Sequence, residues 1–223
     1  ALAQVPTPVR HSLHAALAQL LAQDPAVPPG RLAEHWLAAE RWAEAGTALL
    51  AAGRAAWRTG RPQEQADLLQ RAADCSHRAG DAHTRFEALC DRLDGLLVAQ
   101  GGQAVLDQLP TLAGLPQTPR QAAELLQVEC EALMNVDLFS QVLDREASLR
   151  QATAPFPDLY ADTLGMLGRA LSVLGRHSES LNTAQQARAL AEKWAQDTGD
   201  ESLVARALGH LAHAHFTAGQ AAE

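Results

Sequence analysis

The chain has 223 residues, of which 18 are basic and 26 are acidic, so that its net charge is −8. This length is enough to bury a core, and the acidic balance argues against a nucleic-acid-binding surface on this segment. Alanine makes up about a fifth of the residues, leucine is abundant and aromatic residues account for 4%. Because alanine and leucine are strong helix formers, the composition predicts an all-α protein.

Several classes of site are excluded by what the sequence lacks. Lys193 is the sole lysine and follows no glycine-rich loop, which rules out a Walker A phosphate loop. The three cysteines form no CxxC pair, so neither a zinc ribbon nor a disulfide framework is expected. No apolar run reaches the length of a membrane span, and no signal peptide is visible at the start. We therefore expect a cytoplasmic protein without a membrane partner, and the absence of an initial Met suggests a fragment or a processed product.

Glycine, proline and capping residues divide the sequence into about eleven helix-sized blocks, none of which has the alternation of a strand. The predicted helices run over residues 8–23, 30–40, 42–59, 62–79, 81–100, 103–114, 118–134, 138–154, 158–174, 177–197 and 200–218. The loops between them are short, so successive helices are expected to pack antiparallel.

Local signals mark several of these helix ends. Thr118 is a predicted N-cap, with Pro119 at the first helical position and Gln121 at the third. The sequence GDA at 80–82 and the sequence GDE at 199–201 each end one helix with glycine and open the next with aspartate.

A seven-residue spacing of small residues recurs along the chain. It separates Gly53 from Gly60, Gly95 from Gly102, Gly168 from Gly175 and Ala212 from Gly219. The first residue of each pair would let a partner helix approach, and the second would close the turn. Ser180, Ala184 and Ala187 are the small residues expected to face Gly168 from the next helix. Related turn glycines lie about 42 to 44 residues apart, with room for a degenerate repeat that turns near 135–137.

These motifs resemble the tetratricopeptide repeat, in which a large residue precedes Leu-Gly, a turn glycine follows, and small residues line the second helix. The resemblance is strongest at 164–190 and extends over 49–72, 89–114 and 118–154. It implies an α-solenoid, a right-handed superhelix of antiparallel helix pairs with about eleven helices.

The first seventy residues have a narrower resemblance. Arg10, Leu13 and His14 match an Arg-x-x-Leu-His-like stretch, and a helix of the pattern LAxHWxxA begins at Leu32. Both motifs are similar to the junction of STAND-class bacterial transcriptional regulators, the class of the maltose-regulon activator and other long LuxR-type proteins. The resemblance implies a junction segment over residues 1–40 and about 4.5 repeat-like helix pairs over 41–223. In such chains an ATPase and a DNA-binding module lie elsewhere.

The end of the sequence fits this interpretation. Ala221–Glu223 would be the first residues of the second helix of a repeat, so that the last pair is truncated. Terminal repeats of natural arrays normally carry a polar cap. We therefore expect the chain to be a piece of a longer protein.

The most conspicuous candidates for metal ligands are His210, His213 and His215. On a helix the third of these points away from the first two, so that the three cannot converge on one ion. His213 is expected to face the groove, and His215 the packing side. We predict no metal site, no cofactor and no enzymatic activity, because no catalytic motif is present.

A concave groove is the best candidate for a binding site. In the repeat class the first helix of each pair lines this groove, and the matching register gives seven residues. They are Arg54, Trp57, Arg92, Asp162, Arg169, Arg206 and His213. Four arginines and a tryptophan on one wall would suit a small anionic ligand or an acidic protein segment.

Two functions are compatible with these features. The first is a ligand- or protein-binding sensor domain of a larger bacterial transcriptional regulator, which would act on the ATPase and DNA-binding modules of its parent chain. The alternative is a repeat scaffold or adaptor that binds peptide segments and has no role in transcription.

Overall fold

The computed structural model of the protein describes residues 6–219, which form twelve helices and no β-strand. The helices are α1 (Thr7–Leu21), α2 (Pro29–Ala38), α3 (Trp42–Arg58), α4 (Pro62–Ala79), α5 (Ala82–Gln100), α6 (Gly102–Leu112), α7 (Pro119–Asn135), α8 (Phe139–Asp144), α9 (Glu146–Thr153), α10 (Pro157–Val173), α11 (His177–Thr198) and α12 (Ser202–Thr217). The all-α prediction is confirmed, while the handedness of the superhelix stays a prediction. None of these helices is both long enough and apolar enough to cross a bilayer.

The chain divides into two compact units. Unit 1 contains the residues up to Gln100 together with Thr111–Gln117, and unit 2 contains Gly101–Pro110 together with the residues from Thr118 onward. The predicted division at residue 40 stays a prediction, and the expected truncated helix at Ala221–Glu223 lies outside the described residues.

The predicted capping signals are confirmed for α7 and α5, whereas the N-cap of α12 is Glu201 and the predicted Asp200 lies one residue before it. The Thr118 hydroxyl accepts a hydrogen bond from the Gln121 N–H at 3.2 Å, which caps α7. Asp81 accepts from the Thr84 N–H at 3.0 Å before α5, and Asp200 accepts from the Ser202 N–H at 2.9 Å before α12. Each side chain satisfies an N–H group that the helix itself leaves without a partner.

The block predicted as one helix over 138–154 is two helices, α8 and α9, that meet at Arg145. The Arg145 side chain donates to the Gln141 carbonyl at 3.1 Å, and its N–H bonds to the Val142 carbonyl instead. The same guanidinium is held by Glu129 on α7 at 2.6 and 2.9 Å. The Arg145 side chain thus occupies the carbonyl to which its own N–H would bond in a continuous helix, and the contact with Glu129, which local sequence signals do not reveal, holds it there.

A second correction concerns the predicted turn glycine Gly102. The left-handed residue is Gly101, with a φ of 86°, whereas Gly102 is the first residue of α6. A Cβ atom at Gly102 would collide with the Ala132 carbonyl, and its N–H donates to the Asn135 side chain at 2.6 Å. Gly102 is therefore required for the close approach of α6 to α7 and not for a turn.

In unit 1, α3 and α4 pack antiparallel through small residues. A Cβ atom at Gly46, early in α3, would touch Ser76, late in α4, and one at Gly53 would touch Leu69. The paired positions run in opposite directions along the two helices. The core around this pair includes the fully buried Leu49 and Leu69 together with Trp36 of α2.

In unit 2, the predicted contact at Gly168 is confirmed. A Cβ atom there would lie 3.4 Å from the Ser180 carbonyl and 3.9 Å from the Ala184 Cβ. The Ser180 hydroxyl donates to the Gly168 carbonyl at 2.8 Å, and Ala187 is fully buried on the same face of α11. Small residues thus bring α10 and α11 together, as the repeat pattern predicts.

Candidate functional site

The seven residues predicted to line a groove fall into both units. Arg54, Trp57 and Arg92 belong to unit 1, and Asp162, Arg169, Arg206 and His213 belong to unit 2.

In unit 2, α7, α10 and α12 lie side by side and run parallel. From α7 to α10, Arg120 pairs with Asp158, and Gln127 donates to the Thr163 hydroxyl at 2.9 Å. From α10 to α12, the contacts of Asp162 with Arg206 and of Ser172 with Thr217 are 44 and 45 residues apart. The nearly constant offset of 44 to 45 residues indicates that α10 and α12 are equivalent first helices of successive pairs. Four of the predicted residues lie on these two helices.

Asp162 and Arg206 form the main ion pair between α10 and α12. The Arg206 guanidinium donates through Nε to Asp162 Oδ1 at 3.1 Å and through Nη2 to Oδ2 at 2.9 Å. Burial raises the pKa of the Asp162 carboxyl and Asp158 adds to this effect, while Arg206 opposes both. The pairing engages Arg206 within the protein, although 57% of its side chain remains exposed.

One turn further along α12, the His210 ring lies against Gly165 of α10, where a Cβ atom would collide with it. Burial lowers the pKa of His210, and the positive charges of Arg169, His213 and Arg206 lower it further. The ring is therefore neutral at neutral pH. The sequence marks His210 only as a candidate metal ligand, because its packing depends on Gly165, which lies 45 residues earlier.

Arg169 is exposed and has no hydrogen-bond or ion-pair partner among residues 6–219. His213 is also exposed, and its carbonyl accepts from the Thr217 hydroxyl at 3.0 Å. Arg169, Arg206, His210 and His213 together form a basic patch on α10 and α12, which we call the α10–α12 patch. A guanidinium without a carboxylate partner is available to an anion from solution.

In unit 1, Arg54 on α3 is already paired. Its Nε donates to Asp91 Oδ2 of α5 at 2.6 Å, and its Nη2 lies 3.7 Å from Glu87 Oε2. Trp57, one turn along α3, has 39% of its surface exposed. The Arg54 charge is thus largely neutralised within the protein, while the Trp57 ring remains accessible.

Arg92 follows Asp91 in the sequence but does not take part in the ion pair with Arg54. It borders a cleft of about 160 Å³ between α4 and α5, together with Gln63, Asp67 and Gly95. Its Nε is buried and has no hydrogen-bond partner in the described chain. The structure therefore brings Arg92 to the second helix of the preceding pair and away from the Arg54 ion pair.

Candidate metal ligands do not cluster in the described residues. Within 6–219 no group of three His, Cys, Asp or Glu side chains has the arrangement of a metal site. His14 and His35 contact each other through their Nδ1 atoms at 3.0 Å, joining α1 to α2. This contact links the two junction motifs that the sequence singles out.

The thiol of the buried Cys130 in unit 2 has low reactivity. Cys130 is fully buried in the core between α7 and its neighbours. Burial raises the pKa of its thiol to about 12, and Glu129 adds to this effect. Because the thiolate is the reactive form, the thiol is unsuited to nucleophilic chemistry at neutral pH.

Comparisons with known proteins do not assign the chain to a group. No protein-family model matches the sequence, and no curated protein matches it either.

Proposed function

We propose that this chain is a ligand- or protein-binding helical-repeat domain, the sensing or interaction part of a larger bacterial transcriptional regulator in the cytoplasm. The observation that carries the binding role is the α10–α12 patch. Its preferred occupant is a carboxylate- or phosphate-bearing ligand or an acidic protein segment.

Charge and exposure support the choice of an anion. Arg169 is exposed and unpaired, and the neighbouring His213 is exposed as well. A carboxylate placed between them would form a charge-assisted hydrogen bond with the guanidinium. It would also stabilise the protonated form of His210, whose pKa lies below the usual histidine value, so anion binding should tighten as the pH falls below about 6.5.

The packing of the unit supports a role in signalling. Asp162–Arg206, Gly165–His210 and Ser172–Thr217 join α10 to α12 at three successive levels. A ligand that contacts residues of both helices would favour one arrangement of the pair over others. Such differential affinity is the physical requirement for a ligand to shift a regulator between states.

The transcriptional part of the proposal rests on the junction motifs. His14 and His35 belong to the two motifs that resemble STAND-class regulators, and they are in contact. The open reading frame that encodes this chain offers a direct test. A Walker A motif and a helix-turn-helix in the same frame would support the regulator, and a frame without either would favour the scaffold or adaptor alternative.

The binding role can be tested by a thermal-shift screen of the whole chain against sugars, nucleotides, acidic metabolites and acidic peptides. Arg169→Glu is the main variant, because the side chain is exposed and unpaired, and Arg169→Glu/Arg206→Glu is the stronger one. The matched control is Arg176→Glu/Arg188→Glu, which makes the same change of charge at the N-cap of α11 and within α11, where both arginines pair locally. A stabilising compound that is lost in the patch variants and kept in the control would support the proposal.

Two other outcomes would count against it. A compound that binds equally to the patch variants and to the control double variant would place the binding site elsewhere. The absence of a shift with any compound, combined with no capture of acidic peptides on beads, would contradict an anion-binding patch.

A further inference from the structure

The cleft between α4 and α5 has chemical features of a second, smaller binding site. Its volume of about 160 Å³ is below the ~300 Å³ of pockets for drug-sized ligands. It is lined by two opposite charges, Arg92 and Asp67, and by the amide side chains of Gln63, Gln70 and Gln100. A cleft of this size suits a small polar metabolite.

The two charges are not used by the protein. Neither Arg92 nor Asp67 forms an ion pair, with each other or with another residue in the described part of the chain. Most arginines nearby are paired, as Arg54 is with Asp91 and Arg71 is with Glu34. Opposite charges that border one cleft and remain separate leave space for a molecule that carries both signs.

Two buried polar atoms beside the cleft also lack hydrogen-bond partners. Arg92 Nε lacks an acceptor, and Gln65 Oε1 lacks a donor. The orientation of the Gln65 amide is fixed, because its Nε2 donates to the Asp91 carbonyl at 3.0 Å. Its Oε1 lies where a Cβ atom of Gly95 would be, and Gly95 lines the cleft. Buried polar atoms without partners are rare in native proteins, and these two leave one donor and one acceptor beside the cleft without partners.

We propose that the α4–α5 cleft binds a small zwitterion of the free α-amino acid class, with its carboxylate at Arg92 and its ammonium group at Asp67. A simple anion would meet the carboxylate of Asp67, and a simple cation would meet the guanidinium of Arg92. A zwitterion satisfies both charges at once. The cleft and the α10–α12 patch share no residue, so a test of one binding site does not decide the other.

The test is a titration of the whole chain with the common free L-amino acids, followed by isothermal calorimetry and by NMR chemical shifts. We expect saturable binding of at least one amino acid, with shifts concentrated over residues 62–70 and 92–100. Arg92→Gln and Asp67→Asn should each weaken binding roughly tenfold or more, as the loss of a charge-assisted contact does. Arg58→Gln, an exposed arginine of α3, is the control that should leave binding unchanged.

Blocked ligands separate the two charges. The carboxamide of the active amino acid should not bind, because it has no carboxylate for Arg92. Its N-acetyl derivative should bind poorly to the natural chain and better to Asp67→Asn, in which the repulsion is removed. Circular dichroism should show unchanged melting for Asp67→Asn, which alters an exposed side chain.

Two results would overturn the proposal. The first is no saturable binding of any amino acid to the natural chain. The second is equal binding of the N-acetyl derivative or of inorganic phosphate with no effect of Asp67→Asn, which would describe a simple anion site.

Discussion

The contact between α10 and α11 can be tested by enlarging Gly168. In Gly168→Leu, the Cβ atom would stand 3.4 Å from the Ser180 carbonyl, and the rest of the side chain would press on the backbone of α11. Overpacking of this kind costs about 1–3 kcal/mol, and we expect the upper end because backbone yields less readily than a side chain. The higher helix propensity of leucine returns somewhat less than the roughly 0.8–1.0 kcal/mol that separates alanine from glycine.

The net destabilisation is then about 2 kcal/mol, which lowers the melting temperature of a chain of this size by about 4–8 °C. The assay is thermal unfolding followed by far-ultraviolet circular dichroism. Gly209→Leu is the matched control, because Gly209 is also helical but no atom of the described chain lies within 4 Å of its Cβ position. That variant should only gain stability from the higher helix propensity of leucine, and its melting temperature should equal or slightly exceed that of the natural chain.

Gly168→Ala completes the series. Its Cβ meets the Ser180 carbonyl at 3.4 Å, the edge of ordinary contact, so the variant should lie near the natural stability. Equal melting temperatures for Gly168→Leu and Gly209→Leu would refute the reasoning, because the two substitutions differ in the surrounding packing and not in chemistry.

Three further predictions concern individual side chains. A double-mutant cycle on Asp162→Ala and Arg206→Ala should give a coupling of about 0.2–1 kcal/mol, since the pair is partly exposed; a value above ~2 kcal/mol would contradict this. The lowered pKa of His210 means that the folded chain binds fewer protons than the unfolded one. Its contribution to stability should be fully present above pH ~6.5 and be lost as the pH falls through the lower folded value. His210→Gln should flatten that part of the curve of melting temperature against pH, and an unchanged curve would contradict the assignment. Iodoacetamide should label the partly buried Cys90 of the native chain well before Cys130, as followed by peptide mass spectrometry, and similar rates would contradict the burial of Cys130.

Local signals in the sequence were enough to predict most of the helices. Gly80 and Gly199 adopt the left-handed conformation at the ends of α4 and α11, and Thr118 caps α7. Each of these features depends on residues within one turn of each other. The break at Arg145 was missed because its cause, the ion pair with Glu129, joins different helices.

The turn glycines predict the repeat length well between α10 and α12 and less well between α3 and α5. The ion pair from Arg54 to Asp91 spans 37 residues, whereas the turn glycines suggested about 42. Turns lie at the ends of helices, so their spacing also depends on where each helix begins and ends and not only on the side chains that touch. Side chains that touch across parallel helices measure the repeat itself. Between α10 and α12 they are 44 or 45 residues apart, close to the predicted 44, and between α7 and α10 they are 36 or 38 residues apart.

Composition alone does not predict which arginines are free to bind ligands. The offset between parallel helices decides whether each arginine lies beside a carboxylate. On α10 and α12 an offset of 44 places Arg206 beside Asp162, and it also makes His213 the equivalent of Arg169. Arg169 therefore remains unpaired because the matching position holds a basic residue. His213→Glu should supply the missing carboxylate, couple to Arg169 by about 0.2–1 kcal/mol in a cycle with Arg169→Ala, and abolish binding of anions at the α10–α12 patch. Full retention of anion binding in His213→Glu, with no measurable coupling, would show that the helix offset does not control the availability of Arg169.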